Sequence, residues 1–297
     1  MDAADISGIT PILYAYFDRD NRLDRSAMRR QVQVVLDATA PGVAVLGLAT
    51  EVNKLSDAER RTLIDWTAQD VAGRVPLAVT INGDTVDAQL ELASYAVGHG
   101  ADWLILQPPG QRGQPEAFYF DFFSAVMADL RVPVGIQNAP EYLGVGLGPD
   151  AIARLAQRHP HFRVLKGEGP AVVIAQTIER VGPTLRVFNG RGGMELVDNL
   201  RAGCAGLIVA PDCFDYQLAI YEHFRRGEME QAEAIYREIL PAIVFVMQSL
   251  DTLVCYGKRI AAWRMGMTEV YDRAPALAPT AFGLDAARRF ANQLGAF

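Results

Sequence analysis

Short apolar runs alternate along the chain with longer segments in which apolar residues recur at helical spacing. This alternation is typical of a parallel α/β fold, in which a helix follows each strand and covers the sheet. The runs predict eight strands, which is the strand number of a (β/α)8 TIM barrel. The predicted strands are Ile9–Tyr14, Val43–Leu48, Leu77–Ile81, Trp103–Leu106, Val134–Gln137, Arg163–Lys166, Arg186–Phe188 and Gly206–Val209.

The segments between these strands have the apolar spacing of helices that cover a sheet. Asp57–Val71 and Thr85–Val97 both place apolar residues at i, i+3 and i+4. After the eighth strand we predict helices beyond the barrel's own eight, over Phe214–Phe224, Met229–Leu240 and Pro241–Tyr256. We therefore expect a barrel over residues 1–225 and a carboxy-terminal helical extension over residues 226–297, which packs on the barrel and supports oligomer contacts.

Composition and charge narrow the class of protein. Half of the 297 residues are hydrophobic, yet no apolar stretch approaches the ~18 residues of a transmembrane helix. The first residues lack the basic start and apolar core of a signal peptide, so we expect a cytoplasmic protein. The net charge of -7, with both signs interspersed, argues against a nucleic-acid surface or a membrane patch and favours small-molecule chemistry. Cys204, Cys213 and Cys255 have neither CxxC nor zinc-ligand spacing, so we expect no disulfide and no metal.

Lys166 is the candidate nucleophile, because it ends a short apolar run just before a glycine. A lysine removed from water is partly uncharged near neutral pH, and a neutral amine can attack a carbonyl carbon to form a Schiff base. The alternative is a lysine that only pairs with a carboxylate, and this run alone favours that alternative. The position at the end of a barrel strand reverses the preference, since barrel enzymes carry their chemistry there.

Glu168 is the candidate partner of Lys166. Side chains alternate along a strand, so the two project to the same side if the extended run continues for two more residues. A carboxylate beside a Schiff base can move protons to and from the carbon next to the imine. A carboxylate that merely neutralises the lysine would look the same in the sequence, and both interpretations stay open.

An ordered set of motifs carries a resemblance to a known family. Gly8-Ile9-Thr10-Pro11, the Gly47–Leu55 segment, Asn138-Ala139-Pro140, Lys166 and Asn189-Gly190 follow one another at matching spacing. Together they resemble the dihydrodipicolinate synthase / N-acetylneuraminate lyase family over nearly the whole chain. The resemblance implies a (β/α)8 barrel with a carboxy-terminal helical extension, a homotetramer or dimer, and a Schiff base between Lys166 and a small 2-keto acid, without another cofactor.

The departures from the family pattern bear on the reaction. Gln137 stands where the synthases have a tyrosine, Leu48 and Ala49 replace a threonine pair, and Tyr142 replaces an arginine. The tyrosine expected in the strand-four loop is missing around Pro109-Gly110. Dihydrodipicolinate synthase activity is therefore not expected. A glutamine cannot titrate and can only orient its partners, so proton transfer has to come from another group such as Glu168.

The strand-five Gln-x-Ala-Pro, strand-six Lys-x-Glu and strand-seven aromatic-Asx-Gly are similar to the branch of the family that dehydrates 2-keto-3-deoxy sugar acids. Carried over, the resemblance implies that Lys166 is the nucleophile, Glu168 the general acid/base and Gln137 the orienting group. Thr50 and the N–H groups around Ala49 would receive the substrate carboxylate. Further substrate-binding positions would be Asn189, Gly190 and Ile208. An aldolase that releases pyruvate and a sugar-acid-binding barrel without catalysis remain the alternatives.

Three neighbouring features have simpler interpretations. Arg191-Gly192-Gly193 is predicted to be the turn into the seventh helix. Glu51 is expected to bond buried backbone N–H groups of its loop. Lys258 does not end a barrel strand and is left out of the predicted site.

Overall fold

Eight parallel strands form the centre of the molecule. In the computed structural model, which describes residues 6–297, the strands are β1 (Gly8–Pro11), β2 (Val43–Val45), β3 (Leu77–Ile81), β4 (Trp103–Leu106), β5 (Val134–Asn138), β6 (Phe162–Gly167), β7 (Arg186–Asn189) and β8 (Gly206–Val209). They pair in the order β1-β8-β7-β6-β5-β4-β3-β2. A parallel bridge between Ile12 and Ala44 joins β1 to β2, with the Leu13 N–H donating to the Ala44 carbonyl over 2.9 Å. The predicted TIM barrel is confirmed.

Two strands are shorter than predicted. β1 ends at Pro11 rather than Tyr14, and β2 ends at Val45 rather than Leu48. Leu46 adopts a left-handed conformation with φ of 67°, which an extended strand does not allow. The chain therefore leaves the sheet at this point and forms the loop that contains Ala49 and Thr50.

Helices surround the barrel and continue beyond it. In residues 6–297 the α-helices are α1 (Arg25–Asp37), α2 (Asp57–Val71), α3 (Val86–Gly98), α4 (Glu116–Asp129), α5 (Pro140–Leu143), α6 (Pro149–Arg158), α7 (Ala171–Val181), α8 (Leu196–Arg201), α9 (Phe214–Arg225), α10 (Met229–Val246), α11 (Leu250–Thr252), α12 (Lys258–Arg264) and α13 (Ala281–Leu294). A π-helical turn over Leu253–Gly257 joins α11 to α12. The helix starts follow local sequence, because Asp24 caps α1 and Ser56 forms a capping box with Glu59 at α2.

Two helix predictions are wrong. α9 follows β8 and packs against β1, so it is the barrel's own eighth helix rather than an addition to it. α10 runs through Pro241, although the sequence predicted a break there. A proline removes one backbone hydrogen bond from a helix, and here Ile239, Ala242 and Ile243 remain buried on both sides of it. The carboxy-terminal extension therefore begins with one long helix.

Within the described residues 6–297, no single helix is long and apolar enough to cross a membrane. The pair Met229–Val246 and Leu250–Arg264 is long and apolar enough when taken together, but it is bent by 106°.

Candidate active site

Lys166 and Glu168 form an ion pair at the carboxyl end of β6. Lys166 is only 3% exposed, and its Nζ lies 2.9 Å from Oε1 of Glu168. The extended conformation continues past β6, because the Glu168 N–H donates to the carbonyl of Asn138 over 2.9 Å. Alternation along this extended run places both side chains on one side, so the predicted pairing is confirmed.

A row of buried amides fixes the other oxygen of Glu168. Gln137 faces Lys166 in the register of β5 and β6, and its Nε2 donates to Oε2 of Glu168 over 3.2 Å. Gln107 Nε2 in turn donates to Gln137 Oε1 over 2.8 Å. An ionised carboxylate only accepts hydrogen bonds, so Glu168 determines which way each amide points. Gln107, to which the sequence analysis gave no role, is a positioning residue for Gln137.

A cavity of about 350 Å³, its open mouth included, lies against this pair. Its walls come from strand ends, from the strand-two loop and from the carboxy-terminal extension. The lining residues are Ile12, Leu48, Ala49, Tyr142, Lys166, Glu168, Arg191, Gly192, Ile208, Val209, Ala210, Met247, Leu250 and Leu253. The predicted site residues Ala49 and Ile208 thus lie beside Lys166 and Glu168.

Thr50 and Asn189 lie outside this lining. The Thr50 hydroxyl donates to the Leu13 carbonyl over 2.6 Å, and its N–H donates to the Gly47 carbonyl over 3.0 Å. Both donors are thus committed within the protein, and the predicted contact of Thr50 with a substrate carboxylate has no support from this arrangement. Asn189 is fully buried and donates from Nδ2 to the Gly169 carbonyl over 2.9 Å, which ties the loops after β6 and β7 together.

Gly190 shapes the site through its lack of a side chain. A Cβ at this position would overlap the carboxylate of Glu168. A side chain at residue 190 would displace that carboxylate, so glycine allows the close approach of the β7 loop to Glu168. Its role is to make room for the carboxylate.

Tyr142 and Arg191 line the cavity, although the sequence analysis placed neither in the site. Burial and the Glu168 carboxylate raise the pKa of Tyr142, and the neighbouring Arg191 guanidinium opposes that rise. The predicted turn at Arg191 is present as a 3-10 turn, but its first side chain belongs to the cavity. A signal was available, since Arg191 follows the Asn-Gly at the carboxyl end of a barrel strand.

Glu51 forms a second buried ion cluster next to the site. Its Oε1 accepts from Lys258 Nζ over 2.5 Å and its Oε2 accepts from Lys54 Nζ over 2.7 Å. The expectation that Glu51 bonds backbone N–H groups is therefore wrong, because both oxygens are paired with lysines. Burial lowers the pKa of Lys258, and the Glu51 carboxylate opposes that effect. Lys258 does not line the Lys166 cavity.

The cysteines lie away from this chemistry. In residues 6–297, Cys204, Cys213 and Cys255 are buried and form no disulfide. Burial raises the pKa of the Cys204 thiol to about 12. Within the same residues, no group of three or more His, Cys, Asp or Glu side chains has the arrangement of a metal site.

Known proteins resemble this chain over most of its length. It is 27% identical over 259 residues to the probable 2-dehydro-3-deoxy-D-pentonate aldolase YjhH of Escherichia coli K12, covering 84% of this chain and 86% of that protein. It is 28% identical over 243 residues to the 4-hydroxy-tetrahydrodipicolinate synthase of Methanopyrus kandleri, covering 80% of each. It is also 28% identical over 242 residues to the L-2-keto-3-deoxyarabonate dehydratase of Azospirillum brasilense, covering 80% of this chain and 78% of that one.

Solved structures of related proteins share this fold. The crystal structure of a putative dihydrodipicolinate synthetase from Pseudomonas aeruginosa superposes with a TM-score of 0.90 at 24% identity, covering 97% of this chain and 99% of the other. At that identity the likeness establishes the fold alone. The sequence profile of the dihydrodipicolinate synthetase family matches residues 5–282. The chain therefore belongs to the dihydrodipicolinate synthetase family and is a lyase of that family.

Proposed function

We propose that this lyase dehydrates a 2-keto-3-deoxy sugar acid through an imine on Lys166. The observation that carries the proposal is the pair of Lys166 Nζ and Glu168 Oε1, 2.9 Å apart and buried beside a cavity at the carboxyl end of the barrel. A carboxylate at this distance from Nζ lies within reach of the carbon next to an imine formed there, and it can move a proton to and from that carbon.

The proposed steps use only these side chains. Lys166 Nζ bonds to C2 of the substrate and the carbonyl oxygen leaves as water, which gives a protonated imine. Glu168 then removes a proton from C3 to give an enamine and donates that proton to the C4 hydroxyl, which leaves as water. Gln137 cannot titrate and holds the Glu168 carboxylate toward the substrate. Hydrolysis of the imine releases the dehydrated acid and restores the amine.

Retro-aldol cleavage is the second candidate reaction. The Escherichia coli relative is named an aldolase, and cleavage would begin on the same Lys166 imine. An aldolase removes the proton of the C4 hydroxyl instead and releases pyruvate. A barrel that only binds sugar acids is the third candidate, but it would have no use for a buried amine beside the cavity.

The imine is tested by borohydride reduction with pyruvate and with several 2-keto-3-deoxy acids. The chain has three lysines, Lys54, Lys166 and Lys258, so peptide mapping of the adduct is unambiguous. We expect the adduct on Lys166, and no adduct and no turnover in Lys166→Ala, because the covalent route is gone. Lys54→Arg is the matched control and should label normally. An adduct on another lysine would refute the proposed nucleophile.

The products separate the two reactions. A 2,5-dioxo acid without pyruvate supports dehydration, whereas stoichiometric pyruvate, detected with lactate dehydrogenase, supports cleavage. Condensation of pyruvate with aspartate semialdehyde should be absent or very weak, because Gln137, Leu48 and Ala49 lack the hydroxyls of the synthases. Robust condensation would contradict that expectation.

A further inference from the structure

Arg191 brings a second cation to the wall of the Lys166 cavity. Its Nη1 donates to Glu195 over 2.9 Å. Its Nε is buried 3.2 Å from Glu141 in a geometry that makes no hydrogen bond. A guanidinium presents five N–H donors in a fixed fork that matches a carboxylate. Within the described residues, Arg191 is thus paired with two carboxylates, and its remaining N–H donors are available to a ligand.

The contacts of Arg191 place it toward the mouth of the cavity. Its two acidic neighbours, Glu141 and Glu195, have side chains 42% and 40% exposed. Lys166 and Glu168 are 4% and 6% exposed by the same measure. The Arg191 side chain is itself 15% exposed and lines the same cavity as Lys166, so a substrate bound to Lys166 by its keto carbon can extend toward Arg191.

From this arrangement we infer that the substrate carries a second carboxylate, at the end of the chain far from its keto group, and that Arg191 and Tyr142 bind it. This inference rests on the proposed imine at Lys166. The substrate class is then a 2-keto-3-deoxy diacid rather than a monoacid that ends in a hydroxyl.

The backbone holds Arg191 in this position. Gly192 has φ of 60°, and a Cβ there would lie 2.5 Å from Cγ of Met247. The Gly192 carbonyl accepts from Gln217 Nε2 over 2.9 Å. The turn is thus packed against α9 and the end of α10, and these contacts fix the backbone that carries the Arg191 side chain. Tyr142 adds a hydroxyl next to it, which can donate to the same carboxylate.

The test compares 2-oxoadipate with 2-oxohexanoate, which have equal chain length and differ in the second carboxylate. The concentration of 2-oxoadipate that gives half-saturation of borohydride trapping on Lys166 should be at least tenfold lower than that of 2-oxohexanoate. Arg191→Gln should remove this preference and leave trapping of pyruvate within twofold, because pyruvate does not reach the mouth. Arg191→Lys should retain part of the preference for 2-oxoadipate that Arg191→Gln loses. Arg163→Gln, an exposed position on β6, is the matched control.

The acidic neighbours provide a test of opposite sign. Glu141→Gln and Glu195→Gln remove anions that compete for Arg191, so each should strengthen trapping of 2-oxoadipate and leave 2-oxohexanoate unchanged. Equal half-saturation for the two acids in the native protein would overturn the inference. An equal loss of pyruvate and 2-oxoadipate trapping in Arg191→Gln would also overturn it, since the arginine would then serve the first carboxylate or the fold.

Failure of the imine itself has a separate signature. Calorimetric titration of Lys166→Ala with both acids measures binding without covalent chemistry. If no acid labels the native protein but the Arg191-dependent preference persists in this titration, the proposed function fails and the diacid site stands. If labelling occurs without the preference, the diacid site fails and the imine stands.

Discussion

At the scale of single residues, Glu168 has both oxygens committed to donors, Lys166 Nζ at 2.9 Å and Gln137 Nε2 at 3.2 Å. We predict that Glu168→Gln preserves imine formation but lowers turnover roughly a hundredfold or more, the usual scale for a general acid/base. Trapping with pyruvate and steady-state turnover measure the two effects separately. Unchanged turnover would show that Glu168 only neutralises Lys166, and the base would lie elsewhere.

Asp212 is a buried carboxyl whose titration affects stability. The Tyr14 hydroxyl donates to it over 3.0 Å, and burial raises its pKa from 3.8 to about 6. The folded protein therefore holds this proton more tightly than the unfolded chain does. Protonation of Asp212 therefore stabilises the folded protein relative to the unfolded chain. This contribution is complete below pH 3.8 and is lost as the pH rises through about 6.

The corresponding prediction concerns Asp212→Asn, which can still accept from Tyr14. Relative to the native protein, the variant should gain stability at pH 8, by up to about 3 kcal/mol for a shift of roughly two pKa units. At pH 4 the difference should nearly vanish. Urea unfolding at the two pH values measures it. A difference that does not change with pH would contradict the raised pKa.

At the scale of elements, Glu51 joins the strand-two loop to the carboxy-terminal extension through Lys258 at the start of α12. Removing one partner of a buried ion pair leaves an uncompensated charge in the interior. We predict that Glu51→Gln costs about 3–5 kcal/mol of stability, on the scale measured for such pairs. Urea unfolding at pH 7 gives the value.

Two variants separate charge from packing in this cluster. Lys54→Met should cost less than about 1 kcal/mol, because Lys54 is partly exposed and Glu51 keeps Lys258. Glu51→Gln combined with Lys258→Met should recover most of the loss, since no lone buried charge remains. A double variant as unstable as Glu51→Gln would assign the effect to packing instead.

At the scale of the whole molecule, the predicted homo-oligomer remains a prediction. Val172 and Val173 at the start of α7 are 70% and 47% exposed, whereas most apolar side chains of the barrel are buried. We predict that replacing both with aspartate lowers the molecular mass measured by light scattering. Gln176→Asp, at an exposed position of the same helix, should leave the mass unchanged. A native protein that is already a monomer would refute the oligomer.

Much of the architecture was predictable because strands and helices leave periodic patterns along the chain. The alternation of apolar runs and helical segments predicted the eight strands, and the two-residue spacing of Lys166 and Glu168 predicted their pairing. The helix breaks were less predictable. Pro241 did not interrupt α10, because the buried contacts on both sides of it outweigh one missing hydrogen bond.

The sequence by itself determined the barrel, the lysine at the end of β6 and the carboxylate beside it, because each follows from spacing within one short segment. Only the tertiary structure decided which groups meet across segments. It committed the Thr50 hydroxyl to Leu13, paired Glu51 with Lys258 and brought Arg191 to the wall of the Lys166 cavity. These contacts join residues far apart in the chain, and a local pattern carries no information about the partner that folding supplies.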